Sequence, residues 1–455
     1  PTRFFVADLI VRGANVVTPD GVKRLEIAIE NGTILELAPT VTSKAKEEIN
    51  AEGLHVFPGL IDVHVHFNEP GRTEWEGIKT GSSAFAAGGG TLYVDMPLNS
   101  SPPVLNKESF LAKQQAAEAS SHTDFALWGG LTPDNLENLS DLAELGVIGF
   151  KAFMSNSGIE DFKAIDDLSL YEGMKKAAKL GLPVAVHAES EAITSALTKQ
   201  IRDKGGKSIR DYLKSRPVIA ELEAINRAIL FAKETSCDLH VVHVSSRRGV
   251  ALVTEARKHG VRVTCETCPH YLHLTEDDLE KLGAVAKCAP PLRSDKERLE
   301  LWQSILRGEV DLIASDHSPS SPDLKDRDNF FEVWGGISGV QSSLQILLTH
   351  ANEQGLSLQT IAALTAQNSA ERFRLANKGR LEPGYDADLT LIDLDSSETL
   401  TKEKIFYRHQ QSPYVGQTFK GVIKQTLVRG QTVFKDGKIV AKPLGRFIKP
   451  RYKHL

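Results

Sequence analysis

The sequence predicts an α/β protein, a (β/α)8 TIM barrel with a small β-sandwich domain built from both chain ends. Three observations predict it. Through the middle of the chain, short apolar runs alternate with longer segments of helical spacing, the pattern of βαβ units around a parallel sheet. Eight such runs occur, the number that closes a barrel. The two chain ends lack this alternation and read as short strands broken by turns.

The N-terminal end carries a strand over 9–18, a break at Pro19-Asp20-Gly21 and a strand over 25–30 that stops at Asn31-Gly32. Asn-Gly tolerates the positive φ of a type I′ turn, so this break signals a hairpin. Strand texture returns at 389–394 and 425–437. Such strands need partners to cover their apolar faces, and chain termini tend to meet at a domain surface. Residues 1–55 and 379–455 are therefore expected to form one domain beside a barrel over 56–378. Barrel strands are expected at 60–66, 91–96, 124–128, 147–153, 183–187, 239–244, 261–265 and 311–315. Helices are expected at 75–87, 107–119, 171–180, 218–233, 250–259 and 296–306. A doubly wound open sheet is the alternative, disfavoured because no Gly-x-Gly-x-x-Gly follows the first strand.

Composition narrows the partner. The 455 residues are 41% hydrophobic and 25% charged, ordinary for a soluble globular chain, with a formal net charge of -5. No long basic block provides the footprint of a nucleic-acid or anionic-membrane binder, so a small-molecule substrate is expected. Asp8 interrupts any leader-like apolar run, and no stretch is long and apolar enough to cross a bilayer, so a cytoplasmic protein is expected. Four cysteines are too few for a disulfide framework. Cys265-Glu-Thr-Cys268 has no second pair to complete a structural zinc site, and these thiols are read as buried.

The chemistry starts at Gly59-Leu-Ile-Asp-Val-His64-Val-His66-Phe. Alternate side chains of a strand point the same way, so both imidazoles are aimed together, which invites a metal. Lys151, His187, His243 and Asp316 each end a later β-like run. In a closed barrel, sites form at the carboxyl ends of the strands, so strands one, four, five, six and eight would bring these residues together. One histidine at a strand end is ordinarily a structural residue; the weight lies in the joint pattern. His317 should face away from Asp316 and make a hydrogen bond rather than ligate.

These residues resemble the amidohydrolase superfamily, in its cyclic-amidase branch of dihydroorotases, hydantoinases or dihydropyrimidinases, and allantoinases. The resemblance covers nearly the whole chain. It rests on Asp62-Val-His64-Val-His66, Lys151-Ala-Phe, Val186-His187-Ala-Glu189, His243-Val-Ser, Glu266-Thr-Cys-Pro-His270-Tyr, Pro290-Pro-Leu-Arg293, Ser315-Asp316-His317-Ser-Pro and Gly384-Tyr-Asp-Ala-Asp-Leu. Within the branch, Asp95-Met-Pro-Leu98-Asn99 and Val333-Trp-Gly-Gly-Ile-Ser-Gly339 are most similar to the allantoinases.

The resemblance implies two divalent metal ions, zinc first and Mn, Co or Fe as alternatives. His64, His66 and Asp316 would hold one, His187 and His243 the other, and Lys151, as a CO2-derived N6-carboxylysine, would bridge both. Asp316 would serve as general base and acid in hydrolysis of allantoin to allantoate, a step of purine degradation, and the assembly would be a homotetramer. Dihydroorotases carry an arginine and an asparagine where Asn68 and Leu98 stand, leaving little here to bind a carboxylate. Hydantoinases, the nearer alternative, carry Pro-Asn-Gly in place of Trp334-Gly335-Gly336 and a tyrosine in place of Phe153. Substrate contacts are expected from Asn68, Asn99, Phe153, Ser318 and the backbone at Gly335. A non-catalytic structural relative is disfavoured because all six ligand positions are kept, and a mononuclear deaminase would leave Lys151 without a role.

Overall fold

Parallel strands packed between outer helices and an inner core must be apolar on both faces, and the computed structural model, which describes residues 6–451, shows that burial. Leu60–Val65, Gly90–Asp95, Phe150–Phe153 and Val184–His187 are buried throughout. Leu60–Val65, Gly90–Asp95 and Asp124–Leu127 pair in that order; Gly129–Gly130, Phe150–Phe153, Val184–His187, Leu239–Val241, Val263–Thr267 and Leu312–Ile313 continue the series, all parallel. Asp124–Leu127 and Gly129–Gly130 are two halves of the third strand, parted at Trp128, whose Nε1 crosses the interior to donate to the Val63 carbonyl at 2.8 Å. A parallel bridge between Val65 and His317, with His66 N donating to His317 O at 2.8 Å, joins the eighth strand to the first.

The seventh strand starts two residues later than its apolar pattern suggests. The preceding helix, Arg247–Lys258, closes through Gly260 at φ +83°, and Val261 N donates back to Ala256 O at 3.1 Å. Val261 thus belongs to the helix terminus, and the chain extends only from Val263. In the first crossover, the helix begins at Ile78 rather than 75 because Gly77, at φ +93°, lies outside helical geometry. Lys107–Ser120, Asp167–Leu180 and Asp295–Leu306 each start at a side-chain cap, from Asn106, Asp166 and Ser294. Two further helices, Glu191–Asp203 and Ile209–Ser215, are inserted after the fifth strand; the first buries only Thr194 and overhangs the carboxyl ends of the strands.

The chain ends form one nine-stranded mixed sheet. Asn31 and Gly32, at φ +51° and +76°, make the expected hairpin between Gly21–Glu30 and Thr33–Ala38. His55–Pro58 pairs antiparallel with Leu389–Thr399, which is where the two ends of the sequence meet. Beside this seam the Lys378 ammonium sits among Asp124, Asp386 and Asp388 at 2.7, 2.9 and 2.8 Å. This acidic cluster therefore holds a lysine and is tied to the foot of the barrel. All four cysteines are free and buried. Among the described residues no helix is long and apolar enough to cross a membrane.

Candidate metal centre

Barrel closure brings the six strand-end residues to one place, and the hydrogen bonds around them decide which atom each presents. His64 Nδ1 donates to Glu266 Oε2 at 2.9 Å, because a carboxylate can only accept. His66 Nδ1 donates to the Leu98 carbonyl at 2.8 Å. In its neutral form each ring is left with the lone pair on Nε2, and both Nε2 atoms converge on Asp316 Oδ1, at 3.0 and 3.3 Å. These three groups are compact enough to hold one ion.

The other pair is set the opposite way. His187 Nε2 donates to Glu189 Oε1 at 2.6 Å, which exposes Nδ1, and His243 Nε2 stands 3.0 Å from it. Arg216 grips the same carboxylate, with Nη2 at 2.6 Å from Oε1, so Glu189 cannot turn away from the ring. His243 Nδ1 is buried without a partner among the described residues. His243 and Asp316 adopt φ of +37° and +48°, a left-handed backbone that costs a non-glycine residue of order 1 kcal/mol or more and recurs at functional sites.

Electrostatics favour cation binding. Burial holds His66, His187 and His243 below the usual histidine range, in the neutral form that ligates. Burial opposes charge on His64 too, but Asp316 and Glu266 outweigh it and raise that ring to about 9. Asp316 is held well below the carboxylate range despite burial, by the His64 charge and its hydrogen bonds to both histidines. Lys151 is fully buried and lies in no ion pair among the described residues; its Nζ meets Met96 Sδ at 3.8 Å and the Phe153 ring at 4.7 Å. Burial lowers it to about 8. Neutral imidazoles at His66, His187 and His243, an ionised carboxylate and an unpaired amine, joined by His64 once it gives up its proton, form a donor set that fits divalent ions.

The site opens into a cavity of about 720 Å³, within the range of small-molecule pockets. Asn99, Phe153, Ser318 and Gly335 line it. Phe153 also stacks on His187, with ring centres 4.9 Å apart. Asn68 does not reach the cavity. It is fully buried, donating to Pro319 O at 3.2 Å and accepting from Asn99 Nδ2 at 3.4 Å, so it supports Asn99 from behind. His317 turns outward, as expected: its Nε2 donates to buried Glu76 at 2.8 Å and its Nδ1 accepts from Gly339 N. The supporting groups Glu189, Arg216, Glu266 and His240 were given no role from sequence. The His187-Ala-Glu189 alternation carried a signal for Glu189, but no local pattern marks Arg216, 27 residues further on.

Residues 55–433 match the amidohydrolase family. Over 447 residues, 98% of each chain, the sequence is 55% identical to an allantoinase of Solibacter usitatus (strain Ellin6076). It is 53% identical over 445 residues, 98% of this chain and 99% of the other, to an allantoinase of Deinococcus radiodurans. Among solved structures, an L-hydantoinase (dihydropyrimidinase) from Arthrobacter aurescens superposes with a TM-score of 0.95 at 34% identity, over 97% of this chain and all of that one. A D-hydantoinase superposes with a TM-score of 0.90 at 30% identity, over 98% of this chain and all of the other.

Proposed function

The chain belongs to the amidohydrolase family, and from that premise we propose that it hydrolyses the cyclic amide bond of allantoin, opening the ring to allantoate. The observation that carries the reaction class is the convergence of His64, His66 and Asp316 beside the facing pair His187 and His243. The allantoinase relatives, at 55% and 53% identity over nearly the whole chain, support the substrate.

We assign His64, His66 and Asp316 to one divalent ion, His187 and His243 to a second, and Lys151 to both as its carbamate; zinc is the proposed metal. Bound there, the ions supply Lewis acidity, which brings the pKa of water from about 15.7 down towards 7 and polarises a carbonyl. Lys151 must be neutral to react, and its lowered pKa supplies that form: its nitrogen bonds to the carbon of CO2, a proton leaves, and an anionic oxygen ligand results. Asp316 Oδ2, engaged by no described residue, accepts the proton of the attacking water and returns it to the departing ring nitrogen, which is a poor leaving group as an anion. Glu189 and Glu266 keep the rings in the tautomers described, and Asn99, Ser318 and Gly335 offer polar contacts to an uncharged ureido group. Phe153 brings no hydroxyl.

The same proposal includes a barrel domain over 56–378 with a companion over 1–55 and 379–455, a step in purine degradation within the cytoplasm, and a homotetramer. Hydantoin is the second reading, favoured by the superposition on the L-hydantoinase. The deciding experiment incubates metal-loaded, bicarbonate-treated protein with allantoin, hydantoin, dihydrouracil and dihydroorotate side by side. Allantoin is expected to be opened with the highest kcat/KM; a higher value for hydantoin or dihydrouracil would overturn the substrate while leaving the hydrolytic site in place.

A further inference from the structure

Two lysines beside the cavity, Lys287 buried and Lys325 half-buried, turn their ammonium groups to backbone carbonyls rather than to carboxylates. Lys325 ends the turn Pro322–Lys325 in the loop after the eighth strand, and Lys287 follows the turn Gly283–Ala286 after the seventh. Lys325 Nζ donates to Trp334 O at 2.7 Å, Gly336 O at 2.8 Å and Ala284 O at 3.0 Å. Lys287 Nζ donates to Val333 O at 2.7 Å, Phe330 O at 2.8 Å and Phe331 O at 3.3 Å. An ammonium has three hydrogens, and each lysine commits all three to carbonyls. Neither forms an ion pair among the described residues, and burial lowers both to about 7. The Tyr212 ring, 4.6 Å from Lys287 Nζ, adds the face of an aromatic.

Taking a cation out of water without an opposite charge is costly, so the return must lie in what the carbonyls are made to do. Five of the six belong to residues 330–336, the segment that brings Trp334, Gly335 and Gly336 to the cavity. In a planar trans peptide the carbonyl and the following N–H point in opposite directions. With Trp334 O held on Lys325, the Gly335 N–H is turned away from that lysine, and Gly335 lines the cavity. No acceptor among the described residues takes that N–H.

We infer that Lys325, backed by Lys287, is a positioning residue that sets the 334–335 peptide so that the Gly335 N–H is offered to an oxygen of the bound substrate. The inference rests on the proposed ring-opening reaction. It assigns the two lysines to substrate binding, not to the metals or to the proton transfers.

The test uses Lys325→Met and, separately, Lys287→Met in the metal-loaded enzyme. Metal content, kcat and KM for allantoin are measured together with amide hydrogen exchange across residues 329–337. Loss of an interaction made equally in the ground and transition states should raise KM roughly tenfold or more with kcat within about threefold. Metal content should match the parent protein, and exchange across 329–337 should quicken. Unchanged KM and exchange in a folded variant would overturn the inference, as would a fall in kcat that tracks lost metal. Should Lys325→Met not fold, Lys287→Met carries the same readouts. If the parent protein does not open allantoin, the substrate reading fails by itself; KM is then taken on the ring it does open, and the exchange measurement judges the lysines.

Discussion

Each histidine of the candidate metal centre is defined by the proton on its other nitrogen. Glu266 illustrates the point: one oxygen accepts from His64 Nδ1 at 2.9 Å and the other from His240 Nε2 at 2.8 Å, with no exposure to water. Its charge, with that of Asp316, raises His64 to about 9 in the metal-free protein. A protonated imidazole cannot ligate, so metal affinity should climb as pH rises from 7 to about 9 and level off above it. The Glu266→Gln variant keeps the volume but loses the charge, which lowers His64 and weakens its basicity. Metal affinity on the plateau above about pH 9 is expected to fall about 10- to 100-fold, and the plateau should be reached at lower pH. Competition with a chromogenic chelator across that range checks both; an unaltered affinity would mean that Glu266 only fills space.

At the scale of elements, the loop after the eighth strand is held against the strand end by close backbone packing. A Cβ on Gly336 would stand 2.1 Å from Ser318 O, whereas one on Gly335 would find nothing nearer than Lys287 Cε at 3.9 Å. Backbone cannot give way as a flexible side chain can. Gly336→Ala is therefore expected to lower stability by about 1–3 kcal/mol and to displace Ser318 and Trp334. Gly335→Ala should unfold at the parent temperature. Thermal unfolding of the two variants side by side tests the contrast, and equal midpoints would refute it.

For the whole molecule, the foot of the barrel is fastened to the terminal sheet by charge. Lys378 joins Asp124 at the start of the third strand to Asp386 and Asp388 in the returning chain, and Arg429 reaches Asp124 from the sheet at 3.2 Å. Lys378 is held well above the usual lysine range: burial alone would lower it, and the three carboxylates outweigh burial. Lys378→Met would leave buried carboxylates without their main counter-charge and should cost about 3–5 kcal/mol, read from denaturant unfolding. The candidate metal centre lies at the opposite end of the strands, so kcat at 25 °C should stay near the parent value. A stability unchanged by the substitution would show that Arg429 suffices.

From the sequence by itself, the eight-stranded order and the six converging side chains were legible, because apolar period and position at a strand end are local properties of the chain. So was the Asn31-Gly32 hairpin, since only a few residue types accept its φ values. Tertiary structure alone decided which nitrogen each histidine presents, that Asn68 lies behind Asn99, and that Lys287 and Lys325 donate to carbonyls of the segment 330–336. The physical reason is that those outcomes depend on partners brought in from other strands and on the direction of backbone carbonyls. A pattern of residue types records which way side chains alternate along one strand; it does not record what meets them after the barrel closes.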